Sequence, residues 1–180
     1  MKIFIETSRV LLRELTETDY PGIFELDSDP EVHQYLGKKP ISNIEDAKKS
    51  IEMIRAQYIQ NGIGRWAVIR KDTQEFIGWG GLKLITDRVN DHQNYYDLGY
   101  RLIKSHWGKG YASEIASATA KYAFNELNLP EIYAIADHQN LASQHILEKT
   151  GFSPIETFNY EGVPHIWYEK NFPDIKPPIL

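Results

Sequence analysis

A chain of 180 residues, 42% hydrophobic and 25% charged, can bury one sizeable core and has no room for two domains of typical size, so 1–180 is expected to form a single domain. A net charge of −5 offers no broadly basic face to a polyanion, which argues against nucleic acid as a partner, whereas acidic character suits a cationic amine. The lack of cysteine removes disulfides, thiolate metal sites and cysteine nucleophiles together.

The start, Met1 to Glu6, is too short and too soon charged for a secretory leader, and no later stretch approaches the length of a membrane span. A cytoplasmic protein is expected, without membrane association. Arg9 to Leu15 reads as a first strand, closed by Thr16, which with Asp19 three positions on makes a helix start. A short helix over Asp19 to Leu26 follows. Ser28-Asp29-Pro30 breaks it, and Glu31 to Tyr35 is expected to add a brief helical piece. Ser42 or Asn43 caps a longer helix over Glu45 to Gln60, whose apolar stripe is Ala47, Ile51, Ile54 and Tyr58, and Asn61-Gly62 ends it.

Trp66 to Ile69 and Phe76 to Leu82 suit an antiparallel hairpin across the polar turn Lys71 to Gln74. Glycines at Gly78, Gly80 and Gly81 weaken an ordinary strand and point to a bulge or a close approach of backbone or ligand. Asp87 to Asn94 is a polar loop in which His92 is expected to be solvated.

The next stretch organises the rest. Leu98, Tyr100 and Leu102 alternate with Asp97, Gly99 and Arg101, which is the period of a strand. Trp107-Gly108-Lys109-Gly110-Tyr111-Ala112 ends it. Ile115, Ala116, Thr119, Ala120 and Ala123 then recur at helical spacing. Glycines before a helix let backbone approach an anion, and the unpaired first-turn amides and the helix dipole favour a phosphate or pyrophosphate there. Lys109 adds a charge.

Glu131 to Ala136 reads as a buried strand, and Asn140 caps a helix through Lys149 that ends at Gly151. This order implies a parallel strand pair inside a mixed sheet. Phe152 to Phe158 and Val163 to Phe172 close the sheet as a hairpin around Asn159 to Gly162, and the tail over 173–180 is peripheral.

Two nucleotide motifs compete for the glycine turn. The phosphate loop of nucleoside triphosphatases needs Ser or Thr after Gly-Lys, but Gly110 stands there; the dinucleotide fingerprint G-x-G-x-x-G meets Ser113 at its third place, and no second strand ending in Asp or Glu follows at the expected distance. A third pattern fits better. Trp107 to Ala112 resembles the R/Q-x-x-G-x-G/A signature of the GNAT N-acetyltransferases, with Gly110 and Ala112 in the last two places and Trp107 in the Arg/Gln place. Asn140-Leu141-Ala142-Ser143, continuing to Glu148-Lys149-Thr150-Gly151-Phe152, resembles the N-x-x-S...E-K-x-G-F element of the ribosomal-protein N-terminal (alanine/serine) acetyltransferase branch. With Thr7 to Arg13, the resemblance spans nearly the whole chain.

The resemblance implies an α/β GNAT-like fold: a central mixed, mostly antiparallel twisted sheet with a parallel strand pair, flanked by helices. It implies acetyl-CoA as co-substrate and an amine acceptor, most simply a protein N-terminus, with a polyamine, amino acid or antibiotic as the nearest alternative. A non-catalytic acyl-CoA sensor with the same cradle is the reading from another class. Either a monomer or a homodimer is compatible.

Cofactor contacts are expected from Leu102 and Ile103 on the strand edge, from Trp107, Gly108, Lys109, Gly110, Tyr111, Ala112 and Ser113 at the turn, and from Asn140 and Ser143. Asp97 stands where family members often carry a glutamate base, so it is the candidate general base, with a salt-bridged strand carboxylate as the alternative. Some relatives place a tyrosine acid four positions before the glycine of the closing G-F. Here that place is Leu147, and Ser143 is the candidate contact to the departing sulfur. His106 is expected at the surface. The scattered histidines make no H-x-x-x-H or H-E-x-x-H pair, so no metal is expected. Trp66, Trp79, Tyr96 and Trp167 are expected in the core rather than in an acceptor groove, which falls instead to the turn from Tyr160 to His165.

Overall fold

The computed structural model describes residues 2–172; the tail expected over 173–180 lies outside the described residues. In chain order the elements are β1 (Ile3–Glu6), β2 (Val10–Arg13), α1 (Tyr20–Ser28), α2 (Ile44–Asn61), β3 (Trp66–Arg70), β4 (Phe76–Ile85), β5 (Tyr95–Leu102), α3 (Tyr111–Asn125), β6 (Glu131–Asp137), α4 (Leu141–Lys149), β7 (Ser153–Tyr160) and β8 (Val163–Asn171). The strands form one eight-stranded sheet in the order β1-β2-β3-β4-β5-β6-β8-β7. Every neighbouring pair is antiparallel except β5 with β6, which α3 joins as a crossover and which is therefore parallel. No helix among the described residues is long and apolar enough to cross a membrane.

Local chemistry sets the helix ends. Asn43 Oδ1 accepts the Asp46 amide at 3.0 Å, and Gly62, at φ +69°, terminates α2 by donating its amide to the Tyr58 carbonyl at 3.1 Å. At α1 the Asp19 carboxylate accepts the Thr16 amide at 2.7 Å, as the Thr16/Asp19 spacing implies. A single 3-10 turn over Glu17–Asp19 then precedes the helix, which carries Pro21 in its first turn.

Two local expectations are corrected, and one strand is new. Residues 30–38 form hydrogen-bonded turns rather than the helical piece expected over Glu31 to Tyr35, because their main-chain bonds have no regular span and Gly37 and Lys38 adopt left-handed φ of +80° and +53°. A strand, β1, precedes the first expected one. It is a four-residue edge strand in which only Ile5 is buried, so it has no alternation to read. The first strand itself is shorter than Arg9 to Leu15, covering Val10–Arg13.

The bulge expected from the glycines lies in β4. Val68 pairs with Gly78 but Ile69 pairs with Phe76, which leaves Ile77 as the extra residue. Gly78 is required there: at φ +145° a Cβ would stand 2.1 Å from the Arg101 carbonyl oxygen.

The sheet is covered on both faces. α3 and α4 pack on one, where Ile115, Ala116, Ala120 and Ala123 join Leu82, Leu98, Ile132 and Leu147 in the main core. α1 and α2 cover part of the other through Leu15, Ile23, Ala47 and Ile51. Trp66 is fully buried and stacks on Phe4 at 4.7 Å. Trp167 is buried with Tyr95 and Tyr133 in a separate aromatic cluster on the face that α1 and α2 leave partly open. Each such fully buried large apolar side chain contributes about 1.5–3 kcal/mol relative to exposure.

Candidate active site

The glycine turn sits at the start of α3 as its sequence implies. Gly108 and Gly110 have φ of +72° and +80°, and a Cβ on Gly108 would meet nothing within 4 Å, so the main chain there faces open space. The first helical bond runs from the Glu114 amide to the Gly110 carbonyl at 3.1 Å, and no side chain caps the helix. The amides of Tyr111, Ala112 and Ser113 are thus those that a helix start leaves without intrahelical partners, and the dipole of a 15-residue helix points its positive end at the same place. Such a cradle fits a diphosphate. Lys109 is exposed and donates its Nζ to the Ser105 carbonyl at 2.8 Å.

The N-terminal turn braces this loop, which the sequence reading missed. Arg9 donates from Nε to Glu114 Oε2 at 2.6 Å and from Nη1 to the Lys109 carbonyl at 2.8 Å, and its guanidinium lies 4.5 Å from the Tyr111 ring centroid. Thr7 donates to the same Glu114 at 2.6 Å. Burial raises the Glu114 carboxyl, but the hydrogen bonds from Thr7 and Arg9 outweigh it and hold the group below its ordinary value. The contacts join residues 100 or more positions apart, and no local pattern announces them.

Beside the loop the sheet opens. β5 and β6 share one rung, Asp97 opposite Tyr133; beyond it β5 continues to Leu102 and β6 to Asp137 without pairing. The result is a gap whose β5 bank can offer main-chain groups to an extended amide chain as another strand would. Its end is already occupied. The Leu102 carbonyl accepts the Trp107 indole N–H at 2.8 Å, while Ile103 donates its amide to Ile77 and accepts from His106. Of the main-chain groups expected to meet cofactor at Leu102 and Ile103, the Leu102 carbonyl and both Ile103 groups are thus bonded within the chain. Trp107, in the Arg/Gln place of the signature, is thereby tied to the end of β5 while its ring stays exposed.

Asp97 stands at the vertex, on the last paired rung. Its Oδ2 is bound by Arg65 Nη2, whose Nη1 also donates to the Asp97 carbonyl at 2.6 Å and the Gly81 carbonyl at 2.5 Å. Burial pushes the Asp97 carboxyl above its ordinary value, and Arg65 pulls against that. Oδ1 accepts no hydrogen bond from the described residues. Tyr95 and Tyr160 lie close enough that the Asp97 charge raises both phenols, adding to burial. Arg65 and Arg101 hold the Trp79 ring from 5.5 and 4.9 Å, and Arg101 donates to Asp27 of α1 at 2.6 Å.

On the other bank, Asn140 Oδ1 caps α4 by accepting the Ser143 amide at 3.1 Å. Ser143 in turn meets Tyr100: the phenol oxygen is 3.2 Å from Ser143 Oγ and 3.3 Å from its carbonyl. Tyr100 is a second residue that the sequence reading used only as part of an alternation. Leu147, in the place of the relatives' tyrosine, is 2% exposed inside the core.

A cleft of about 390 Å³ opens on the face opposite α3 and α4. Gln34, Tyr35 and Lys38 form one side, Asp137 and Gln139 at the end of β6 the other, and Pro164 of the last hairpin closes it. Its lining holds one carboxylate, Asp137, and one ammonium, Lys38. Of the hairpin turn expected to touch acceptor, Val163 and Pro164 line this cleft.

Two histidines differ from expectation. His92 is half-buried rather than free in solvent: it stacks on Trp167 at 4.6 Å, because the loop folds back over the aromatic cluster. His106 is 5% exposed rather than at the surface, since the short turn before the glycines tucks it beneath Glu75, 3.5 Å away, and Tyr111. Trp66 and Trp167 are core, as expected; Trp79 and Tyr96 are half-buried. No cluster of three His, Asp or Glu that could hold a metal occurs among the described residues.

Comparison with known proteins matches residues 9–153 to an acetyltransferase (GNAT) domain. YoaA, an uncharacterized N-acetyltransferase of Bacillus subtilis strain 168, is 36% identical over 148 residues, covering 82% of this chain and 81% of its own. The spermidine N(1)-acetyltransferase of Escherichia coli K12 is 26% identical over 144 residues, 80% of this chain and 73% of that one. Among solved structures, the ribosomal-protein-S5-alanine acetyltransferase of Vibrio fischeri superposes with a TM-score of 0.75 at 20% identity, covering 98% of this chain and 100% of that one.

Proposed function

The chain belongs to the GNAT acetyltransferase family and uses acetyl-CoA as donor, and from that premise we propose that its acceptor is the α-amine of a protein N-terminus. The observation that carries this reading is the charge of the cleft: one carboxylate and one ammonium line it. A polyamine or an aminoglycoside carries several positive charges and is held by a track of carboxylates. A chain end carries one, and the rest of the peptide needs an open groove of mixed polarity. Two of the three named relatives are called after acceptors of both kinds, a ribosomal protein and spermidine.

In this reading the amides from Gly110 to Ser113 bind the diphosphate, and β5 between Gly99 and Arg101 holds the pantetheine arm. Asp97, at the vertex of the gap, takes the proton from the incoming ammonium directly or through water, using the Oδ1 that Arg65 leaves free. A chain terminus with pKa near 7.7–8.0 is about a tenth neutral at pH 7, a lysine less than about a thousandth, so one carboxylate serves the terminus better. Bound acetyl-CoA supplies the activated acetyl group; Ser143 meets the departing sulfur.

The test is acceptor-dependent release of coenzyme A thiol across peptides with free N-termini, the same peptides acetylated at the α-amine but bearing lysine, spermidine and an aminoglycoside. Free peptide N-termini are expected to give the highest kcat/KM. A higher value for spermidine than for every peptide would move the acceptor to small amines, and tight acetyl-CoA binding with no acceptor-dependent release would make the protein a sensor. Gly110→Val is expected to weaken acetyl-CoA binding about tenfold or more, measured by calorimetry. A β-branched residue in a left-handed conformation costs about 1–2 kcal/mol, and a tenfold change in affinity is about 1.4 kcal/mol. Unchanged affinity would mean that this turn does not hold the diphosphate.

A further inference from the structure

We propose that Tyr100 is a positioning residue for acyl transfer, its phenol fixing the Ser143 hydroxyl so that the hydroxyl hydrogen is presented to the sulfur of the departing thiolate. This inference rests on the acetyl-transfer reading above but not on the identity of the acceptor. The contact crosses the gap: Tyr100 lies on β5 beyond its last rung with β6, and Ser143 lies in the first turn of the helix that follows β6. Its two oxygen partners, Ser143 Oγ at 3.2 Å and Ser143 O at 3.3 Å, are the only ones the phenol has among the described residues.

Ser143 is otherwise left with one freedom. Its amide is tied to Asn140 Oδ1 at 3.1 Å, so the main chain is set and rotation about the Cα–Cβ bond remains. The single phenol hydrogen lies within reach of Oγ and of the carbonyl of the same residue, and in the proposed arrangement it is shared between them, which selects one serine rotamer and leaves the serine's own hydrogen turned away from Tyr100. Burial pushes the Tyr100 phenol up to about 12, so it is a hydrogen-bond donor throughout the neutral range. Leu147 is core, so no side chain at that place on α4 can serve instead.

The step balances without net ionisation of either hydroxyl. The acceptor nitrogen bonds to the acetyl carbon, the carbon–sulfur bond breaks with its electron pair going to sulfur, and the proton shed by nitrogen reaches the thiolate through solvent. Ser143 donates a hydrogen bond to the charge that grows on sulfur; Tyr100 donates to Ser143. Preorganisation of this kind acts on the transition state, so it belongs in kcat rather than in affinity.

Tyr100→Phe removes one oxygen and keeps the ring. With any amine that the enzyme turns over, kcat is expected to fall about tenfold, with coenzyme A affinity within about twofold of wild type. In a Ser143→Ala background the same change is expected to have less than a twofold effect, because the group it orients is gone. A packing role would not produce that coupling. An unchanged kcat in Tyr100→Phe, or an undiminished tenfold loss in the Ser143→Ala background, would overturn the proposal. Failure of the peptide-acceptor reading leaves the measurement intact, since carbon–sulfur cleavage is common to every amine.

Discussion

Arg65→Met is expected to lower the stability of the folded domain by about 3 to 5 kcal/mol at neutral pH, the cost of leaving one member of a buried ion pair without the other. Arg65 and Asp97 side chains are 10% and 15% exposed, and the guanidinium also serves the Gly81 and Asp97 carbonyls. Its path across the sheet exists because position 99 is glycine: a Cβ there would stand 2.6 Å from Arg65 Nη2. Methionine fills much of the volume and supplies neither charge nor donor. At about 2–4 °C per kcal/mol for a domain of this size, the melting temperature falls by roughly 10 °C.

The sign of the pH dependence follows from Asp97. Burial already raises its carboxyl, and Arg65 is the main group opposing that. In the variant the opposition is gone, so the folded-state value lies further above the unfolded one. A carboxyl of that kind destabilises the fold above the unfolded value, increasingly until the folded value is reached. The deficit relative to wild type is therefore expected to be largest near neutrality and to shrink as pH falls toward about 4, where the unfolded carboxyl also protonates. Thermal melts at a series of pH values read this directly. A loss below about 1 kcal/mol, or one that grows on acidification, would mean that the pair is not the buried salt bridge its contacts describe.

Asp97→Asn is expected to reduce kcat about a hundredfold or more, as removal of a general base does, while acetyl-CoA affinity stays within about threefold. The amide keeps the shape of the carboxyl and can still face Arg65, but it cannot take a proton. It also leaves the guanidinium without a counter-charge, so both proteins are compared at a temperature at which both are folded. The acid limb of the wild-type pH–rate profile is expected to vanish in the variant. A rate equal to wild type would remove Asp97 from proton transfer and leave it as the partner that holds Arg65 in place.

The legible and illegible parts of this protein divide by range. Asn43, Gly62, Asn140 and Gly110 act through their own backbone or through neighbours within four residues, so their roles could be read from letters in a row. The bulge was legible for the same reason, as glycines interrupting a strand. Glu31 to Tyr35 turned out not to be helical because a proline after a break suits both a helix start and a turn, and the left-handed φ at Gly37 and Lys38 decided between them. The burial of His106 and the stacking of His92 on Trp167 depend on what a loop lands on, which no local pattern carries.

From sequence alone came the order of strands and helices from β2 onward, apart from a helical piece that proved to be turns, together with the glycine turn at the head of a helix and the family it resembles, because each rests on periodicity and on short-range hydrogen bonding. The partners of the chemistry came only with the tertiary structure. Arg65 reaches Asp97 across 32 positions, Tyr100 reaches Ser143 across 43, and Arg9 reaches Glu114 across 105. Such pairs meet because β5 and β6 part after a single rung and the helices pack where they do. That divergence is a property of the assembled sheet and has no signature in either strand.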